Sequence, residues 1–210
     1  KSGFRNDCLY VGINSGHQQS LYSDFHTDDW KSLAEAMEND QMEVRRYPTI
    51  QVNIDGNPPF LCLNECTIRS SIVKTFVLEV YIDDFHFESF RGDGIVVSTP
   101  TGSTGYSKSI GGAIVDPLLP CFQVTELASL NNNLYRTLGT SFILSKEHTL
   151  TLKVTKGDQQ FPVISMDNEA LSISRIEQIK VQLSDRIIKT VKLKNNSFWH
   201  KVQRTFLKTP

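Results

Sequence analysis

The chain has 210 residues, enough for one large domain or two small ones with a core that needs no covalent staples. Its formal net charge of -1 supplies no global positive field, which argues against nucleic acid or an anionic membrane as partner. Four cysteines, Cys8, Cys62, Cys66 and Cys121, lack paired CxxC spacing, so neither a disulfide framework nor a closed zinc site is expected.

The first residue is Lys, and an apolar run from Leu9 to Ile13 follows soon. We read that run as a buried strand and expect a segment upstream of Lys1. It ends in Asn14-Ser15-Gly16, a turn signal. Asp28 is placed to cap a helix over Asp29 to Asn39, with Trp30, Leu33, Ala34 and Met37 forming one apolar stripe. From Glu43 onward, short runs of β-branched and aromatic residues alternate with turn signals such as Asp55-Gly56-Asn57-Pro58-Pro59 and Gly92-Asp93-Gly94. Strands are expected at Leu61 to Arg69, Thr75 to Ile82, Ile95 to Thr99, Thr149 to Thr155, Val163 to Met166, Ile176 to Leu183 and Ile188 to Leu193, which together suggest a sandwich. A helix over Ser197 to Leu207 with Phe198, Val202 and Phe206 on one side closes the chain. No apolar run approaches the ~18 residues of a membrane span, and no secretory leader opens the chain, so a cytoplasmic protein is expected.

The chemistry concentrates between Arg91 and Asp116. Thr99, Thr101, Gly102, Ser103, Thr104, Gly105, Ser107 and Ser109 follow a strand, so hydroxyls and backbone N-H groups converge where glycine lets a ligand come close. Such a loop suits ribose hydroxyls and phosphates, while Tyr106 offers an aromatic face and Lys108 a cation. Gly102 to Ser109 nearly spells a Walker A loop, but Ser107 stands where glycine should precede Lys108-Ser109. No GxGxxG opens a helix after a strand. Read in isolation, the loop is also compatible with an ordinary Ser/Gly/Thr-rich turn. The five histidines form no spaced ligand set and read as solvated or satisfied residues.

The order Arg91-Gly92-Asp93-Gly94, then a strand, then TPTGSTGYSKS from Thr99, then GGAIVDP to Pro117 resembles the central signature of NAD kinases. Asn64-Glu65, the segments from Glu126 to Asn132 and Tyr135 to Thr137, Met166-Asp167-Asn168 and Ser197-Phe198-Trp199 are similar to further segments of that family, most of all in Gram-positive bacilli. The resemblance implies an α/β plus all-β architecture. Residues 1–42 would be the remnant of an N-terminal α/β, Rossmann-like domain, 43–194 a β-sandwich that binds NAD, and 195–210 a C-terminal helix returning to the first domain.

It also implies phosphoryl transfer from ATP, or polyphosphate, to the adenosine-ribose 2'-hydroxyl of NAD, giving NADP, with Mg2+ or another divalent cation accompanying ATP. Asn64 and Glu65 would hold the ribose and adenine portion. Thr101 and the run Thr104, Gly105, Tyr106, Ser107, Lys108 and Ser109 would wrap the dinucleotide, with Ala128 as a close apolar wall, a residue that by itself reads as core. Arg91 and Asp93 would reach the site of a neighbouring subunit in a homodimer or homotetramer; by themselves they read as a hairpin turn with a surface ion pair. Asn168 and Tyr22 would lie beside the ligand, although the loop from Gly16 to Tyr22 departs from the family's usual GHLGFY. The family's GGDG turn, with its catalytic aspartate, has no match before Leu9 and would sit upstream of Lys1, so no catalytic residue is assigned. A non-catalytic NAD or NADP module and a related lipid or sugar kinase remain alternatives.

Overall fold

Alternation of apolar and polar side chains organises most of this chain, and the backbone follows it into strands. The computed structural model describes residues 5, 7–16, 20–71, 75–155, 162–167, 169–171 and 175–207. In chain order the first strands are β1 (Tyr10–Val11), β2 (Ile13–Asn14), β3 (Phe25–His26), β4 (Met42–Ile54), β5 (Phe60–Cys62), β6 (Glu65–Ser70), β7 (Phe76–Ile82) and β8 (Phe85–Gly92). They are followed by β9 (Gly94–Ser98), β10 (Cys121–Leu127), β11 (Phe142–Ser145), β12 (Leu150–Val154), β13 (Pro162–Met166), β14 (Glu169–Leu171) and β15 (Gln178–Leu193). The chain divides into two units, Lys1–Tyr47 with Arg186–Pro210, and Pro48–Asp185.

The larger unit is a β-sandwich. One sheet runs β5-β4-β15-β12-β7-β8 and the other β11-β10-β9-β6-β13-β14. Every second residue of the facing strands enters a common core: Val52, Leu78, Leu152 and Ile179 from the first sheet, and Ile68, Val97, Phe122 and Ile164 from the second, all 0% exposed. At roughly 1.5–3 kcal/mol per fully buried side chain, this layer holds the two sheets together. Leu63-Asn64 and Asp93 are the points where the chain steps from one sheet to the other, so the expected single strand from Leu61 to Arg69 is broken in two.

In the smaller unit, β1 pairs parallel with Thr190–Val191 of β15, and β2 pairs parallel with β3. Its first helix spans Trp30–Glu38 and its last Phe198–Phe206. Asp29, not Asp28, caps the first helix by accepting from the Ser32 amide. The expected stripe is also corrected: Ala36 is buried, while Trp30 and Met37 are about two-thirds exposed. Likewise Leu9, Val11 and Ile13 are exposed, not parts of a buried strand, and a break at Gly12 divides that run. Gln178–Leu193 forms one long strand where two, Ile176 to Leu183 and Ile188 to Leu193, were expected, since the polar run Ser184-Asp185-Arg186 does not interrupt pairing-competent backbone. In the last helix Phe198 and Val202 are buried, but Lys201 shares their face and Phe206 is partly exposed. Among the described residues no helix is long and apolar enough to cross a membrane.

Candidate functional site

Antiparallel registers in the second sheet set Glu65, Ser98 and Gln123 in one cross-strand row and Thr67, Val96 and Thr125 in the next. Because Cys66, Ile68, Ile95, Val97, Phe122 and Val124 face the core, these two rows look outward. Ser98, Gln123 and Thr125 are nevertheless buried, since the loop from Thr99 to Asp116 covers them. The Gln123 side chain joins both limbs of that loop. Its Oε1 accepts from the Ala113 amide at 2.8 Å, and its Nε2 donates to Ser107 Oγ at 2.8 Å. Ser103 Oγ accepts from the Val115 amide at 2.9 Å and donates to the Pro100 carbonyl at 2.6 Å, closing the loop a second time.

At the edge of this surface the β5–β6 turn carries Asn64 and Glu65. Three backbone amides of the turn donate to one carboxylate: Leu63 to Asp167 Oδ2 at 2.6 Å, and Asn64 and Glu65 to Asp167 Oδ1 at 2.7 and 3.2 Å. The Asp167 amide donates back to the Glu65 carbonyl at 3.1 Å. Asp167 holds φ 45°, in the left-handed region that Asp tolerates better than most residues. From the other side, the Thr99 amide donates to the Asn64 carbonyl at 2.8 Å and the Thr99 hydroxyl to the Leu63 carbonyl at 2.5 Å. Thr99 Oγ1 in turn accepts from the Gly102 amide at 3.0 Å, which ties the turn to the loop. A β-carbon built on Gly105 would lie 3.9 Å from Glu65 Oε2, so the Glu65 carboxylate stands beside the loop. Burial, aided by the nearby Asp167 charge, pushes the Glu65 carboxyl above the usual carboxylate range.

The loop then forms a single helical turn, Tyr106–Ser109. Tyr106, Lys108 and Ser109 are exposed, Gly105 is exposed and Thr104 half-buried, so this turn presents a phenol, an ammonium and hydroxyls over a polar sheet face. A second cluster lies at the β8–β9 step. The Arg91 guanidinium lies 4.1 Å above the Tyr135 ring, and its carbonyl accepts from the Leu130 amide at 2.8 Å. Asp93 is exposed, with its amide donating to the Leu127 carbonyl at 2.8 Å. This segment joins the two sheets and is not a hairpin, and the Arg91 partner that the structure shows is an aromatic ring. Gly94 at φ 156° packs onto the Ile68 carbonyl, where a side chain has no room.

Residues 63–193 match the family model described as the ATP-NAD kinase C-terminal domain. Proteins named NAD kinase 2 from Bacillus cereus, Geobacillus kaustophilus and Bacillus subtilis are 63%, 62% and 59% identical over 207 residues, 99% of this chain and 78% of each of theirs. The chain belongs to the NAD kinase family. The yeast NADH kinase complexed with NADH shares its fold, with TM-score 0.77 at 21% identity over 93% of this chain and 57% of that one. The NAD kinase from Archaeoglobus fulgidus in complex with ATP does so with TM-score 0.68 at 24% identity over 89% and 69%.

Within the NAD kinase signature, the structure separates presenting residues from scaffold residues. Asn64, Glu65, Thr104, Gly105, Tyr106, Lys108 and Ser109 gather around the loop and the turn, whereas Ser107 is fully buried and spends its hydroxyl on Gln123. Thr101 is buried beneath the same loop. Ala128 is exposed at φ 45°, which corrects its reading as core. Tyr22 belongs to the smaller unit, half-buried, and its carbonyl accepts from Lys192 Nζ. Asn168 lies outside the described residues. Gln123 was missed by sequence reasoning, although an amide inside the otherwise apolar CFQV run is itself a signal. Of the described histidines, His86 and His148 pair with Glu79 and Asp83 at 2.7 and 2.8 Å, and His26 meets the Gly16 carbonyl at 3.1 Å.

Proposed function

We propose that this chain carries the NAD site of an NAD kinase, with the acceptor dinucleotide lying over the Asn64-Glu65 turn and the Thr104–Ser109 loop. The observation that supports this most is the interlocking of that turn and that loop through Thr99 and Gly102 on one polar sheet face. An amide and a carboxylate there offer paired hydrogen-bond partners to ribose hydroxyls and adenine, while Tyr106 offers a stacking face.

The reaction moves the γ-phosphoryl group of ATP to the 2'-hydroxyl of the adenosine ribose. A bond forms from that oxygen to phosphorus, the bond to the β–γ bridging oxygen breaks, ADP departs, and the hydroxyl proton passes to a base. Binding both partners in register supplies much of the rate, and positioning the 2'-hydroxyl is the task of the residues described above. We assign no proton acceptor among them. Among the described residues no cluster of three or more His, Cys, Asp or Glu side chains could hold a metal ion. A divalent cation accompanying the ATP phosphates, where it would neutralise their charge, belongs to the same proposal. Polyphosphate as donor, a cytoplasmic location, the Rossmann-like character of the smaller unit, and ligand contacts from Asn168 and Tyr22 belong to the same proposal. So do Ala128 as a close apolar wall of the dinucleotide site and a homodimer or homotetramer in which Arg91 and Asp93 serve a neighbouring site. Thr101 and Ser107, buried beneath the loop, support it and do not touch ligand.

The test is calorimetric titration of NAD and NADP into the chain beside Asn64→Ala and Tyr106→Ala. Binding between micromolar and millimolar, roughly 4 to 8 kcal/mol, that both variants weaken supports the site. A folded chain with no affinity for either dinucleotide overturns it. Strong binding that yields no NADP even with the upstream GGDG segment restored would favour the non-catalytic module instead.

A further inference from the structure

We propose that Asp167 is the positioning residue for the Asn64-Glu65 turn: it sets the direction of the two side chains that meet the dinucleotide without itself touching ligand. The inference rests on the NAD site proposed above.

Its carboxylate lies at the end of β13, more than 100 residues along the chain from the amides that it binds. Both oxygens are engaged, at 2.6 Å to Leu63 and at 2.7 and 3.2 Å to Asn64 and Glu65. Hydrogen bonds from amides to a carboxylate are about twice as strong as neutral ones. Three consecutive amides converging on one side chain orient the successive peptide planes of residues 63–65. The place matters because it is a sheet-to-sheet step: β5 ends at Cys62 in one sheet, and ladder pairing resumes only at Glu65, opposite Ser98, in the other. Adjacent pairing of Met166 with Cys66 fixes Asp167 against the turn. The return bond from the Asp167 amide to the Glu65 carbonyl makes the contact reciprocal. With that clamp intact, ligand binding does not bear the entropy of ordering the turn.

Asp167→Asn keeps an acceptor for one side of the turn but loses the charge and one acceptor, while Asp167→Ala loses all three bonds. In calorimetric titrations of NAD into the full chain, we expect Asp167→Ala to weaken binding by about tenfold or more and Asp167→Asn to fall between it and wild type, each bond to a charged group being worth a sizeable fraction of such a factor. The distinguishing readout is a split between affinity and stability. Asp167→Asn should lose affinity while remaining folded at the temperature of the titration, and the amide proton resonances of Leu63, Asn64 and Glu65 should move while those of the distant β12 stay in place. Should Asp167→Ala not fold, the isosteric Asn variant carries the comparison. If wild type binds NAD, Asn64→Ala does not, and Asp167→Asn binds as wild type does with unmoved amide resonances, the positioning role is wrong and the NAD site stands. If wild type itself takes up no NAD, the site fails and this role falls with it.

Discussion

A β-carbon at Gly102 would collide with the carbonyl oxygen of Asn64, and the next nearest atoms would also belong to the Asn64 backbone. Backbone cannot swing aside as a flexible side chain can, so Gly102→Ala must drive the loop away from the turn. Overpacking of this kind costs typically 1–3 kcal/mol. For a protein of this size each kcal/mol lowers the melting temperature by about 2–4 °C. We expect a lower melting temperature together with NAD binding weakened at least as much as in Asn64→Ala. Unchanged NAD affinity in Gly102→Ala would separate the loop from the ligand site.

Gln123 offers a test of the loop's other anchor. Replacement by Leu preserves volume but takes the acceptor from the partly buried Ala113 amide and the Gln123 donor from the buried Ser107 hydroxyl, which keeps only its 3.4 Å contact to Thr125 among the bonds of this anchor. An unsatisfied buried group costs about 1–3 kcal/mol. Denaturant unfolding should show that loss, and hydrogen exchange at Ala113 should accelerate well beyond exchange in β12. Equal acceleration everywhere would mean that the anchor stabilises only the whole sandwich.

Glu88 and Glu126 form an acidic pair between the sheets. Glu88 stands opposite Val80 and Glu126 opposite Ile95, both core residues, and each glutamate is only 9% exposed. Glu88 accepts from the Leu138 amide at 2.7 Å and Glu126 from the Gly139 amide at 3.1 Å, so the pair anchors the loop after β10. Burial, opposed by the Leu138 bond and reinforced by the Glu126 charge, pushes Glu88 up to about 7. A carboxyl raised in the folded state keeps its proton while the unfolded chain has already lost it. Stability should therefore fall as pH rises from about 4.5 to about 7. Glu88→Gln should flatten that slope in thermal melts across the window. A slope that survives the substitution would assign it elsewhere.

A buried ion cluster in the smaller unit predicts the opposite sign. Asp24 accepts from Lys201 Nζ, from the Leu193 amide at 2.8 Å and from Asn196 Nδ2 at 3.1 Å, and its side chain is fully buried. Lys192, 2% exposed, donates to the Tyr22 carbonyl, and burial pushes its ammonium down to about 8, with Asp24 opposing and Lys201 and Arg45 adding to the shift. The unfolded chain then binds more protons between about 8 and 10.5, so this group adds stability as pH rises through that range. Lys192→Met should remove the gain. Asp24→Asn leaves two buried cations without their counter-charge and should cost about 3–5 kcal/mol in denaturant unfolding, the penalty for breaking a buried pair from one side.

Much of the sandwich and the loop from Thr99 to Ser109 were legible because their signals are local: alternation over a few residues, and hydroxyls crowded beside glycines. The strands β8, β10 and β11 were not foreseen. In β10 the alternation runs only from Phe122 to Thr125 before an inward Glu126 breaks it, and in β8 an inward Glu88 likewise stands where the pattern calls for an apolar residue. The stripe on the first helix failed at Trp30 and Met37, because spacing gives a face but not how far that face is covered. Asn64 and Glu65 were legible through family resemblance, yet what holds them was not. A carboxylate that bonds backbone amides far along the chain leaves no trace in the identity of the residues that it binds.

That separation has a consequence for synthesis. Leu63 leaves the ribosome 104 residues before Asp167. Until β13 and Asp167 have followed, the turn can be made but not locked, and contacts of such long range form late in folding. A nascent chain stopped before Asp167 would display the Thr99–Ser109 signature in full and still have no settled place to hold a dinucleotide. Ligand could then reward completion of the sandwich, but it could not nucleate it.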